Sequence, residues 1–254
     1  MAVPPASAGL IHLTLSSGGS DKTNAIVTGV FFIAASVTAI TGLLLYNPIL
    51  ASQDYLSAGP GYADQIVLGA VFELMLVVTA SGTGIMLFPY LRKYNEQMGL
   101  GYLCFRLLEA VTILIGIVSV LALLTLSNAY TSEATPDLAA YQAAGITLKA
   151  MHDWTFILGP NFMLGINTFT YSYVFYRTGF VPKPLAILGL TGAVLIFTAS
   201  LLEMFGIVAQ LTTAGGLLAL PVASFEMLLA VWLIVKGFNL EYITKQSTDS
   251  VHVT

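Results

Sequence analysis

Charged residues are scarce in this chain: of 254 residues only 9% are Asp, Glu, Lys or Arg, against roughly 25% in an ordinary soluble domain. That scarcity excludes a water-soluble fold. The nine Lys and Arg are scattered, with no basic block, so nucleic acid is not an expected partner. There is a single cysteine, Cys104, which excludes an intramolecular disulfide; lying in an apolar stretch, it reads as a small buried hydrophobe. Of three histidines, His12 and His252 are terminal and only His152 falls in an apolar run. Haem held by paired intramembrane histidines and a conventional zinc site are thereby excluded. The sequence also lacks a Gly-rich phosphate loop and a GxSxG elbow. No basic stretch precedes the short apolar patch at Leu10, Ile11, Leu13 and Leu15, so a cleaved signal peptide is not expected there.

What the chain has in abundance is apolar length: 57% of its residues are hydrophobic, and about 20 such residues in a helix cross a bilayer. Runs bounded by Pro, Gly, Asn and charge predict six spans: Ala25 to Tyr46, Ile66 to Phe88, Leu100 to Leu126, Leu148 to Tyr176, Pro184 to Ala209 and Leu217 to Phe238. The expected fold is an all-α membrane protein, a six-transmembrane-helix bundle. An N-terminal segment (1–21) precedes this membrane domain (22–240), and a polar tail (241–254) follows it. The fourth span carries Gly159-Pro160-Asn161 at its middle, and a proline inside a helix predicts a kink. The stretch from Asp137 to Ala144, in the loop before it, predicts a short interfacial helix.

Six spans place seven of the nine basic residues on one side: Lys22, Arg92, Lys93, Arg177, Lys183, Lys236 and Lys245. The opposite loops carry Asp54, Asp64, Glu133 and Asp137. Short cytoplasmic loops are enriched in Lys and Arg, so both termini are expected in the cytoplasm. The expected location is a cell membrane, the bacterial cytoplasmic one.

Ionisable side chains within spans are costly and mark functional positions. Here they are Glu73, Arg106, Glu109, Lys149, His152, Asp153, Glu203, Glu226 and Lys236. Lys149 and Lys236 lie at span ends and can snorkel to the surface. By residue count Glu73, His152, Asp153, Glu203 and Glu226 fall in the external half, which predicts a polar cavity opening that way. Arg106 and Glu109 lie deeper and, three residues apart, share a helix face. One arginine cannot neutralise five carboxylates, so some are expected to be protonated, hydrated or bound to a cation. Helical spacing puts Asp153, Asn167 and Tyr171 on one face of the fourth span, with Asn161 and Trp154 beside it. The His152 and carboxylate set is the one combination with metal-ligating chemistry; no metal or cofactor is assigned.

Three readings fit these residues. In the first, Glu73, His152, Asp153, Glu203 and Glu226 act as acid/base or charge-complementing groups in a pocket for a small lipophilic or cationic molecule. Arg106, Glu109, Trp154, Asn161, Asn167 and Tyr171 then bind the same ligand. In the second the carboxyls exchange protons in a proton- or cation-coupled transporter, and in the third they hold helices together in a non-catalytic subunit or scaffold. The expected partners are the bilayer and a small-molecule or lipid ligand.

The chain resembles the bacterial domain-of-unknown-function 4386 family of integral membrane proteins. The resemblance is carried by Arg106-Leu-Leu-Glu109, by His152-Asp153-Trp154-Thr-Phe-Ile-Leu-Gly159-Pro160 and by Tyr176-Arg-Thr-Gly-Phe-Val-Pro182. It continues in Leu220-Pro221-Val-Ala-Ser-Phe-Glu226 and Trp232-Leu-Ile-Val-Lys236-Gly-Phe. It implies a multi-span bacterial membrane protein and attaches no activity.

Overall fold

The protein is described by a computed structural model covering residues 17–210 and 212–241, with side chains from residue 21 onward. The N-terminal apolar patch, His12, Lys245, His252 and the polar tail lie outside the described residues. Every regular element among those residues is helical. Five helices are long and apolar enough to cross a membrane: Asp21–Leu45, Tyr55–Tyr94, Glu96–Ser132, Lys183–Met204 and Thr213–Val235.

In chain order the elements are α1 (Ser17–Leu45), the short α2 (Asn47–Leu50) and α3 (Tyr55–Ala58), and a 3₁₀ turn, Gly59–Tyr62. Then come α4 (Ala63–Tyr94), α5 (Glu96–Ser132), α6 (Leu138–Phe156), a π-helical segment Ile157–Met163, α7 (Leu164–Thr178), α8 (Lys183–Met204) and α9 (Thr213–Val235). At about 1.5 Å per residue α5 is some 55 Å long, well beyond the roughly 30 Å of bilayer hydrocarbon.

Thr and Ser are tolerated throughout because their hydroxyls donate to carbonyls one turn back: Thr28 to Asn24, Thr38 to Ala34, Thr83 to Ala80 and Thr198 to Val194. No polar group is then left bare in an apolar setting. The chain leaves one long helix and enters the next through tight connections. Asn95 caps α5 by accepting from the Met98 amide, and Asp137 caps α6 by accepting from Ala139 and Ala140. The helix expected near Asp137 to Ala144 is present, but as the first turns of α6 rather than a separate interfacial piece.

Packing follows chain order and then closes. α1 lies on α4, α4 on α5, α5 on α6 and the π segment; α7 lies on α8, α8 on α9, and α9 returns to α1. The result is a ring of five long apolar helices and the rod formed by α6, the π segment and α7. The ring has a basic end, bearing Lys22, Arg92, Lys93, Arg177, Lys183 and Lys236, and an opposite end covered by α2, α3 and the 3₁₀ turn. Ser127 Oγ fixes that cover by donating to the Tyr55 and Leu56 carbonyls at 3.1 and 2.7 Å. Outward faces are apolar, with Val37, Val78, Val118, Val194 and Val231 all exposed. Inside, an aromatic core of Phe32, Tyr90, Tyr102, Tyr171, Phe175, Phe180 and Phe225 fills the basic half. A second core of Tyr46, Ile49, Ile66, Ile113, Ile117 and Val120 fills the opposite half between α1, α4 and α5.

Candidate functional site

A cavity of about 290 Å³ lies between these two cores. It is bordered by Ser36 and Leu43 of α1, Glu73 of α4, Ile113 and Gly116 of α5, and His152 and Thr155 of α6. The far side is formed by Pro160 and Asn161 of the π segment, Leu164 of α7, Ile196 of α8, and Val222 and Glu226 of α9. Every long element of the ring therefore contributes to one lumen. Its wall is mainly apolar, and its ionisable groups are Glu73, His152 and Glu226. Among its lining residues only Ile40 and Ala223 are exposed, so the lumen opens sideways between α1 and α9.

Beneath the cavity stands Arg106, 3% exposed. Its Nη1 donates to Glu109 Oε1 and Oε2 at 3.1 and 2.9 Å, and its Nε donates to the Ala80 carbonyl at 3.1 Å and Thr83 Oγ1 at 3.0 Å. Asn167 Nδ2 donates to Glu109 Oε2 at 2.7 Å. This is a buried ion pair with its remaining lone pairs largely occupied, the condition under which such a pair is tolerated. The same guanidinium is within electrostatic reach of Glu226, so one cation faces two carboxylates. Glu226 Oε1 is buried without a hydrogen-bond partner among the described residues, and so is the Tyr102 hydroxyl.

At the other end of the cavity Glu73, 7% exposed, is coupled electrostatically to His152. The Tyr46 ring meets the imidazole edge-on at 6.1 Å, and its hydroxyl is buried with no partner among the described residues. Glycine at position 42 lets α1 approach this carboxylate, since a Cβ there would collide with Glu73 Cγ. Asn161, on the π segment, donates Nδ2 to Glu203 Oε2 at 2.8 Å.

The structure thus gathers Glu73, His152, Asn161 and Glu226 on one cavity, with Arg106, Glu109, Asn167 and Tyr171 packed below it. Asp153 and Trp154 do not belong to it. The Asp153 side chain is 58% exposed, touching His152 only at 3.4 Å between Oδ1 and Nδ1, and Trp154 is 48% exposed. The cause is the π segment. Its wider turn shifts the phase of everything after it, so Asp153 and Asn167, which share a face at 3.6 residues per turn, no longer do.

Glu203 stands off the lining, held by Asn161, because α8 ends at Met204 rather than continuing to Ala209. Cys104 is exposed rather than buried, as an apolar outer face in lipid permits. Tyr46, which completes the Glu73 and His152 cluster, was hidden as an ordinary span-end aromatic; its position one turn beyond Gly42 was the available signal. Among the described residues, no three His, Cys, Asp or Glu side chains converge to hold a metal ion.

No curated protein and no solved structure matches the chain. A family model does match, over residues 27–237, which takes in the whole cavity and the arginine network beneath it. An integral membrane protein of apolar helices, this chain belongs to the family described as a domain of unknown function, DUF4386.

Proposed function

We propose that this is a six-span protein of the bacterial cytoplasmic membrane, with both termini in the cytoplasm, whose lumen binds a small lipophilic cation. The rod 138–178 is the sixth crossing, interrupted where the π segment lines the cavity. The observation that carries the reading is the convergence of Glu73, His152 and Glu226, from three different helices, on one apolar cavity. The neighbouring guanidinium is already engaged by Glu109. Small-molecule sites combine an apolar wall with a few placed polar groups in this way. In an environment of low dielectric an unpaired carboxylate attracts a cation far more strongly than in water.

The test is calorimetric binding of butyltrimethylammonium to the protein purified in mild detergent. Wild type is expected to bind, and Glu226→Gln is expected to weaken binding about tenfold or more, in line with the roughly 1.5–3 kcal/mol of a charge-assisted contact. Absence of binding to wild type, with Glu226→Gln as stable as wild type, overturns the pocket and leaves these groups as helix-packing contacts.

A further inference from the structure

We infer that the occupant reaches this cavity sideways from the bilayer, through the gap between α1 and α9, and is a single-chain amphiphile. Its ammonium head lies at Glu226 and its tail remains in the lipid. The inference rests on the pocket proposed above and specifies its ligand and route.

Five observations support it. First, the exposed lining residues are Ile40 of α1 and Ala223 of α9, so the mouth lies on that seam. Second, the mouth is deep. Ile40 is five residues from the end of α1 at Leu45 and Ala223 ten residues after Thr213, about 8 and 15 Å from the helix ends and inside the hydrocarbon layer. A solute arriving there comes from lipid, not water.

Third, the same seam is shut at its basic end, where Gly29 sits against the Ala230 carbonyl and the Ile234 side chain. The seam between α8 and α9 is also closed, with Gly192 against the Val222 backbone and Ile196, Ala199 and Val222 packed together. Tyr46 and Ile49, both fully buried, belong to the core that fills the ring above the cavity between α1, α4 and α5.

Fourth, the mouth is framed by small apolar side chains, Ala39, Ala219 and Ala223, over which an alkyl chain passes without losing hydration. Fifth, about 290 Å³ is at the low edge of the roughly 300–1,000 Å³ of ligand pockets. It holds a head and a few methylenes but not a long chain. The buried, unpartnered Glu226 Oε1 gives the head its contact.

The experiment compares two probes with one head, butyltrimethylammonium and dodecyltrimethylammonium, binding to the full chain in phosphatidylcholine nanodiscs, with empty nanodiscs subtracted. Ala223→Trp fills the mouth. It is expected to weaken the dodecyl probe at least tenfold and to leave the butyl probe within threefold of wild type, while Glu226→Gln weakens both. Retained butyl binding certifies that the variant is folded; Ile40→Trp, on the opposite lip, replaces Ala223→Trp if that variant does not fold. Dodecyl binding that is absent in wild type, or unchanged by both tryptophans, overturns the lateral route while the pocket stands. Failure of both probes on wild type overturns the pocket itself.

Discussion

Arg106 is the side chain whose loss carries the largest cost. Removing it strands Glu109 in the membrane interior, and Arg106→Met is expected to destabilise the protein by about 3–5 kcal/mol. The double replacement Arg106→Met with Glu109→Leu is expected to recover most of that stability, because an apolar pair of similar volume avoids the desolvation of both charges. Thermal unfolding in mild detergent reads both variants, and a double variant no more stable than the single one argues against charge pairing as the cause. This pair was legible in the sequence, since residues three apart meet on a helix. The Asn167 amide that completes it joins residues 58 positions apart, and spacing along one helix could show it only as part of a polar stripe. Cys104 illustrates the opposite limit. Core and surroundings are both apolar here, so an apolar neighbourhood does not tell an inward position from an outward one.

At the scale of elements the π segment matters most. Pro160 has no N–H to give the helical ladder, and the break it causes was readable as a kink. The size of the phase shift was not, and that is why Asp153 and Trp154 were expected on the cavity face while Asn161 alone reached it. Gly159 is what lets this turn lie against α5: a Cβ there would collide with Thr112 Oγ1. Gly159→Ala is expected to cost about 1–3 kcal/mol through overpacking. Thr112→Ala in the same chain is expected to restore the loss, because it removes the obstructing hydroxyl. Unfolding midpoints of the two variants check this; a loss that Thr112→Ala leaves untouched would place the strain elsewhere. Helix ends were similarly half legible. The runs located the long helices, but α8 stops at Met204 although apolar residues continue to Ala209, with Gly206 at φ +68° turning the chain.

For the whole molecule, apolar content and charge alternation made membrane residence readable, because they are properties of composition rather than of contacts. Closure of the ring was not, since no pattern within α1 or α9 says that the two meet. Orientation is testable directly. In a Cys104→Ala background, a membrane-impermeant maleimide applied to intact cells is expected to label Ala134→Cys, between α5 and α6. Gln97→Cys, at the basic end, is expected to react only after permeabilisation; the reverse pattern inverts the topology. The seam between α1 and α9 also has a meaning in time. During synthesis α1 is made first and waits for α9, so its inner face, Gly29 included, meets lipid or insertion machinery until the sixth rod arrives. The joint sealed last in the life of the molecule is then the one left ajar in the finished fold, and a chain halted before α9 would hold an open trough in place of a chamber.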